Sequence, residues 1–371
     1  MKSFFVTGAT GTIGSALVPL LLDESDITVT LLIRARDAAD LNQRFQDLLR
    51  FWEINSDNLI SRIRVIRGDA SQPSFGLTNN EYQQLARETT HIVHSAASVK
   101  MNLPLNEARL SAVNSLQEIL ALAKLCQSNS HLSKVELVST VGVGGYTPGI
   151  IPEEPLPQVN HFHNTYEASK AEAEKIALAA WSELPLTIHR PSMVVGEART
   201  GKVIHFQIFY YLCEFFCGRY SFGFVPNPGE MQLDTIPVDY VAHAVKWSSL
   251  TPVTSGKILH LCSGPKTSMK LSSVARLAHH FMRARGEKLA KQKFVPLKLF
   301  RALLPLAACC LPEKPRRALK ATPMFLNYFD IPQAFANTKT QALLTAQGIR
   351  YPDPADYLEK VLDYYYRQRK S

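Results

Sequence analysis

The chain has 371 residues, more than one usual domain and fewer than two comfortable ones, which suits one large α/β unit with an appended lobe. With 46% hydrophobic and 20% charged residues, the composition excludes a disordered or fibrous chain. Lys and Arg number 41 against 32 acidic residues, a net charge of +9, which favours phosphate-bearing partners: nucleic acid, an anionic membrane face, or a phosphorylated cofactor or substrate. The six cysteines, Cys126, Cys213, Cys217, Cys262, Cys309 and Cys310, lack metal-ligand spacing, so reduced thiols in a cytoplasmic setting are expected. The opening KSFFVTGATG lacks the apolar span and cleavage site of a signal peptide and reads as a strand running into a turn.

In chain order, a short apolar run from Ser3 to Thr7 meets a turn at Gly8, Ala9, Thr10 and Gly11. A helix over Thr12 to Leu22 and a second β-rich run, Thr28 to Ile33, complete a βαβ unit. Further strands are predicted over Arg64 to Arg67, His91 to Ser95, Lys134 to Ser139 and Leu186 to Arg190. Helices are predicted over Ala108 to Leu125 and from about Tyr166 to Leu184. Several strands are too apolar for a water-facing sheet. The fold class is therefore α/β, a Rossmann-type doubly wound parallel sheet with a smaller C-terminal substrate lobe.

After Gly196 the alternation loses its regularity. An aromatic-rich stretch runs from His205 to Val225, with short strands near Leu233 to Pro237 and Lys257 to Cys262 and several helices. Residues 1–195 are assigned to the sheet domain and 196–371 to the lobe, partly interleaved because loops such as Gly144 to Asn164 belong with the substrate side. The long apolar stretch Leu297 to Leu311 contains Arg301 and Pro305 and falls short of the roughly 20 residues a bilayer span needs. No transmembrane span is expected. Packing in the lobe is the plainer reading, although the basic flanks Lys291, Lys293, Lys298, Lys314, Arg316 and Arg317 would also let this stretch lie on a membrane surface.

Gly8, Gly11 and Gly14 stand where the first strand turns into the first helix, and a tight turn, close backbone approach and helix-on-strand packing each favour a missing Cβ there. The free N–H groups of that helix make an anion site for a dinucleotide pyrophosphate. A ribose-binding acid would follow at the end of the second strand, but Arg34 and Arg36 stand there. Guanidinium groups suit a 2′-phosphate, so NADP(H) is expected, with Asp37 as the argument for NAD. Asp69 after the third strand could reach the adenine edge. Ser95, Ala96 and Ala97 after the fourth are small enough for the backbone to approach a cofactor.

Tyr166 and Lys170 lie four apart at the start of a predicted helix, so both project from one face. An ammonium beside a phenol favours the phenolate and is expected to lower its pKa. Ser139 and Thr140 end the preceding strand at the carboxyl edge, where one hydroxyl can hold a substrate carbonyl. The set suits hydride transfer to C=O, with Tyr166 supplying the proton and Lys170 tuning it and holding cofactor ribose. His161 and His163 fall in a loop near Tyr166 and could line the entrance; His189, inside an apolar strand, reads as structural. No spacing supports a metal. Glu153 and Glu154 read as a solvated loop.

Through TGATGTIG, HSAA, LVST, NTYEASK and RPS, the chain resembles the extended short-chain dehydrogenase/reductase superfamily. More narrowly it is similar to the thioester reductases, the reductase domains that end peptide synthetases and carboxylic acid reductases, and to the fatty acyl-CoA reductases. That likeness rests on TVTLLIRAR, RVIRGDASQPSFGL, IVHSAASVKMNLPLNEARLSAVNSLQEILALA, NTYEASKAEAE, RPSMVVGEARTG and DTIPVDYVA, about Lys2 to Ala242. The resemblance implies Thr140, Tyr166 and Lys170 as the catalytic triad, with Ser139 as the other candidate hydroxyl. It implies cofactor contacts at Gly8, Thr10, Gly11, Thr12, Ile13, Arg34, Arg36, Asp69, Ala70, Ser95, Ala96, Ala97, Asn114, Ser139, Lys170, Pro191 and Ser192. Ser95 stands where the family often has asparagine.

The implied activity is NADPH-dependent reduction of an acyl thioester, acyl-CoA or carrier-protein-bound, to an aldehyde; the family supports both stopping there and a second reduction to the alcohol, and the sequence does not say which. The aromatic stretch Phe206 to Phe224 suits a long acyl chain, though an ordinary lobe core would look the same. One rival is an epimerase or dehydrogenase of the same superfamily acting on a sugar nucleotide or hydroxysteroid-like alcohol. The other is a non-catalytic NADP-binding module. No nucleic-acid partner is expected, because the basic excess carries no reading motif.

Overall fold

Seven strands form the central sheet: β1 (Lys2–Thr7), β2 (Ile27–Ile33), β3 (Ile63–Arg67), β4 (His91–His94), β5 (Lys134–Val138), β6 (Leu186–Pro191) and β7 (Ile258–Leu261). All neighbours pair in parallel, in the order β3-β2-β1-β4-β5-β6-β7. Side chains alternate across the sheet, so Phe4 and Val6 enter the core on one face and Phe5 the core on the other. Strand order reverses between β1 and β4, which opens a crevice at the carboxyl ends of the strands. This computed structural model describes residues 1–129, 132–157, 159–219, 221–302, 326, 328 and 331–370.

The principal helices are α1 (Thr12–Leu22), α2 (Ala38–Trp52), α3 (Asn79–Glu88), α4 (Ser115–Ser128), α5 (Thr165–Ala179), α6 (Ile208–Phe216), α7 (Val238–Ser249), α8 (Leu271–Ala284), α9 (Thr338–Thr345) and α10 (Pro354–Lys370). On one face Leu17, Val18 and Leu21 of α1 pack with Val241 and Val245 of α7. On the other, Leu116, Ile119 and Ala123 of α4 pack with Ala173 and Ala177 of α5. The helix expected over Ala108 to Leu125 is broken: Leu105–Arg109 is α-helical, Leu110–Asn114 is a π turn, and α4 follows. Apolar periodicity does not reveal the inserted residue. The α5 helix also stops at Ala179, short of Leu184.

The chain re-enters the sheet domain after residue 196, since α7 covers α1 and β7 extends the sheet beyond β6. The lobe has its own core, where Phe209 and Tyr210 of α6 meet Val274 and Phe281 of α8 and Tyr357 and Val361 of α10. Much of the aromatic stretch thus fills the lobe itself, while Tyr211, Phe222 and Phe224 stay exposed. Glu153 corrects the expectation of a solvated loop. It is buried, and its carboxylate accepts the Lys339 N–H at 2.8 Å and the Thr340 N–H at 2.9 Å. Two backbone donors at the start of α9 need an acceptor, and the carboxylate supplies it. Glu154 remains exposed, paired with Lys339 at 2.6 Å.

Glu136 and His189 meet inside the sheet at 2.5 Å, and Ser248 of α7 donates to the same carboxylate at 2.9 Å. His189 is fully buried, in a polar bridge from sheet to helix. Of the apolar stretch Leu297 to Leu311, residues 303–311 lie outside the described residues, as do Lys314, Arg316 and Arg317. Among the described residues, no helix is long and apolar enough to cross a membrane, and no cluster of His, Cys, Asp or Glu is grouped to hold a metal ion.

Candidate active site

The glycine turn is a close contact between two strand ends. Gly8 has φ +82°, and a Cβ there would lie 2.6 Å from the Ala96 nitrogen and 2.7 Å from the Ser95 carbonyl carbon. A Cβ on Gly14 would come within 2.3 Å of the Gly8 oxygen. Only hydrogen fits at either place. The Gly11 N–H donates to the Gly8 oxygen at 2.8 Å, and Gly11 begins α1 with no side-chain cap. Free helix N–H groups over a cradle without Cβ atoms fit a pyrophosphate. Thr10, Gly11, Ile13, Ser95, Ala96 and Ala97 are half-buried around this turn, and Thr12 is buried.

Two lobe residues that no sequence motif marked reach the same turn. Gln207 Nε2 donates to Thr12 Oγ1 at 2.6 Å, and His205 Nε2 lies 3.1 Å from the Thr10 carbonyl oxygen. Both come from the segment leading into α6, about 195 positions away in the chain. Such pairing carries no local signal.

Beyond β2, the Arg34 and Arg36 side chains are 81% and 86% exposed, so both guanidinium groups can turn toward a ligand. Arg34 Nη1 lies 3.5 Å from Asp69 Oδ2, while Asp69 Oδ1 accepts the Ser71 N–H at 3.0 Å and the Ser71 hydroxyl at 2.7 Å. Burial pushes the Asp69 carboxyl up, but the Ser71 hydrogen bonds and the Arg34 charge outweigh it and hold it below the usual carboxylate range. Ala70 beside it is half-buried. Asp37 accepts the Asp40 N–H at 2.8 Å as the N-cap of α2.

At the carboxyl end of β5 the chain turns through Thr140, whose Oγ1 accepts the Gly142 N–H at 3.1 Å. The same Thr140 side chain lies beside the Tyr166 phenol and favours its ionisation. Burial pushes that phenol up to about 12; the Thr140 hydroxyl opposes this and the Glu167 carboxylate raises it further. This corrects the expectation of a lowered phenol. The Lys170 ammonium instead donates to the Val138 carbonyl oxygen at 2.9 Å. Burial pushes Lys170 down to about 8, with Glu174 opposing.

Ser139 and Thr140 have different partners. Ser139 Oγ donates to Glu174 Oε2 at 2.7 Å, and Glu174 also pairs with the fully buried Arg190. Arg190 donates in turn to the Glu154 carbonyl oxygen at 3.1 Å. Ser139 is thus part of an internal clamp between α5 and β6, and Thr140 faces the phenol. Pro191 and Ser192 are buried at the end of β6, and the Ser192 hydroxyl has no partner among the described residues. Asn114 lies half-buried on the π turn.

His94 ties the two halves together. Its Nδ1 lies 2.8 Å from Thr7 Oγ1 and its Nε2 3.3 Å from Ser115 Oγ. Burial, helped by the Lys170 charge, pushes its imidazole down to about 3. His163 is buried against Glu167 at 2.9 Å, whereas His161 is exposed.

The fold and sequence have counterparts. The terminal R domain from the myxalamid PKS-NRPS biosynthetic pathway superposes with a TM-score of 0.83 at 28% identity, covering 99% of this chain and 91% of that one. A Drosophila melanogaster protein named as a fatty acyl-CoA reductase is 27% identical over 73% of this chain. The isonitrile lipopeptide synthase of Streptomyces coeruleorubidus is 31% identical over 66% of it. The chain spans 56% of the Drosophila protein and 16% of the synthase. The sequence pattern of the male sterility protein family, an NAD-binding family, matches residues 6–245. With most of its length under that pattern, the chain belongs to the male sterility protein family, within the thioester reductase and fatty acyl-CoA reductase group of the extended short-chain dehydrogenases/reductases.

Proposed function

We propose that this protein uses NADPH to reduce an acyl thioester, either acyl-CoA or a carrier-protein-bound acyl group, to an aldehyde and onward to an alcohol. The observation that carries the reading is the meeting of Thr140, Tyr166 and Lys170 at the sheet edge of a domain whose glycine turn has no room for a Cβ at Gly8 or Gly14. When bound, the nicotinamide supplies the hydride. The Thr140 hydroxyl turns to the substrate carbonyl oxygen, where negative charge develops. A phenol held near 12 is protonated at neutral pH, so Tyr166 is the proton donor. Lys170, anchored on the Val138 oxygen, keeps two further N–H donors for the ribose and the departing phenolate charge.

Hydride and proton addition convert the thioester to a hemithioacetal. Its C–S bond breaks, the thiol leaves with a proton, and an aldehyde remains; a second equivalent of NADPH gives the alcohol. Two features favour NADPH over NADH. The guanidinium ends of Arg34 and Arg36 are exposed, and Asp37 is engaged in capping α2.

The test is anaerobic incubation of the purified chain with NADPH and a panel of acyl-CoAs and acyl-carrier proteins, with mass spectrometry of aldehyde, alcohol and free thiol. Sugar nucleotides and hydroxysteroids form the control arm. Thioester-dependent NADPH oxidation is expected, and Tyr166→Phe should slow it by about 10²- to 10⁴-fold while fluorescence titration shows nearly unchanged NADPH affinity. Turnover confined to the control arm, or full activity in Tyr166→Phe, overturns the reading.

A further inference from the structure

Beside Tyr166 lies a buried cluster that the reduction chemistry leaves unused. Glu167 is 3% exposed. Its Oε2 accepts the His163 backbone N–H at 3.0 Å and the His163 Nδ1–H at 2.9 Å, and its Oε1 accepts the Tyr328 hydroxyl at 2.6 Å. Asn164 Nδ2 donates to the same Tyr328 oxygen at 2.7 Å, while Asn164 Oδ1 caps α5 through the Glu167 N–H at 3.0 Å. The His163 ring is stacked between Tyr146 and Tyr328, with centroids 4.1 and 4.2 Å away. A Cβ on Gly142, two residues past Thr140, would lie 3.0 Å from Glu167 Cγ.

Four segments converge on this one carboxylate: the turn that carries Thr140, the loop at 161–164, the helix that carries Tyr166, and Tyr328 from the lobe. Further along, Gln333–Phe335 pairs in parallel with Gly149–Ile151, and Gln333 Nε2 donates to the Gly145 and Thr147 carbonyl oxygens at 2.6 Å each. This part of the lobe is therefore strapped along the loop bordering the site.

We propose that Glu167 and Tyr328 are positioning residues for proton transfer at Tyr166. Their hydrogen bond latches the lobe to the catalytic helix, and the fixed carboxylate keeps Tyr166 a phenol poised to donate. A like charge beside a phenol disfavours the phenolate, so the carboxylate keeps Tyr166 protonated to higher pH. Of the other charges around α5, Arg109 pairs with Glu172 at 2.8 Å, Arg190 pairs with Glu174, Lys170 donates to the Val138 oxygen, and Lys175 is exposed. Glu167 is the buried anion whose charge acts on the phenol.

The role in proton transfer rests on the reductase reading above; the latch does not. Tyr328→Phe keeps the ring stacked on His163 but deletes the donor, and Glu167→Gln keeps an acceptor but deletes the charge. Hydrogen-exchange mass spectrometry of the ligand-free full chain should show faster exchange in 161–167 and 331–337 for Tyr328→Phe, at an unchanged melting temperature. Unchanged exchange overturns the latch, whatever the chain reduces. With thioester and NADPH, each variant should lose about tenfold in kcat, the scale of one hydrogen bond to a charged group, at unchanged NADPH Kd and thioester KM. The basic limb of the Glu167→Gln profile should move to lower pH, because loss of a like charge lets the phenol ionise sooner. A profile superimposable on the parent's, or a change in KM alone, overturns the electrostatic role. A parent that reduces no thioester refutes the functional reading and leaves the exchange result to decide the latch.

Discussion

A guanidinium that is four-fifths exposed has no fixed partner to give up when an anion arrives. Arg34 has only a 3.5 Å contact with Asp69, and Arg36 a 3.5 Å contact with Asp40, and exposed pairs of this kind contribute about 0–1 kcal/mol. A 2′-phosphate offers both a stronger, charge-assisted partner. Arg34→Ala combined with Arg36→Ala should therefore weaken NADPH binding at least about tenfold, at roughly 1.5–3 kcal/mol per charged hydrogen bond, and leave NADH within about twofold. Fluorescence titration with both nucleotides measures this; equal losses would show that the arginines serve no 2′-phosphate. At this scale the sequence was informative about residue type and weak about direction. Ser139 and Thr140 are adjacent hydroxyls at a strand end, where successive side chains point to opposite faces. Which one meets the phenol depends on Glu174 and Arg190, 35 and 51 positions from Ser139 in the chain.

The elements that were legible are those whose signal is local. The strand, glycine turn and helix of the first βαβ unit were plain because Phe4 to Val6 are apolar on both faces and the glycines sit at the junction. The π turn at Leu110–Asn114 was not, because a single inserted residue leaves the apolar pattern of the surrounding helix nearly intact. The short strand Ile258–Leu261 was visible, but its place at the sheet edge was set by pairing with β6, some 70 residues earlier. Glu153 is the sharpest case: a carboxylate in a Pro-rich loop looks solvated until α9 arrives to use it. Its bonds to Lys339 and Thr340 fasten the C-terminal part of the chain to the loop beside the site. Glu153→Ala leaves two backbone N–H groups and a threonine hydroxyl without their acceptor, so unfolding free energy should fall by about 3 kcal/mol. Urea denaturation measures it. A loss under about 0.5 kcal/mol, the range of ordinary surface substitutions, would mean water replaces the carboxylate freely.

At the scale of the whole molecule, three buried imidazoles among the described residues are held neutral. Burial pushes His94 and His260 down to about 3 and His91 down to about 4, with help from the charges of Lys170, Arg190 and Lys2 respectively. They bond to neighbouring groups rather than face solvent: His94 binds Thr7, His91 the adjacent Thr90, and His260 the Ala336 carbonyl oxygen at 2.7 Å. In the unfolded chain each titrates near 6.5. The stability they confer is therefore fully present above about pH 6.5 and is lost as pH falls, because the unfolded state takes up protons that the folded state refuses. Each histidine contributes up to about 1.4 kcal/mol per pH unit, so three together remove roughly 5 kcal/mol between neutrality and about pH 5. That is a large share of the roughly 5–15 kcal/mol that holds a domain folded. Denaturant midpoints measured over this range should fall steeply, beginning well above the carboxylate range, and His94→Gln should flatten the slope by about a third. Constant stability from neutrality to about pH 5 would mean that these imidazoles accept protons without unfolding the sheet.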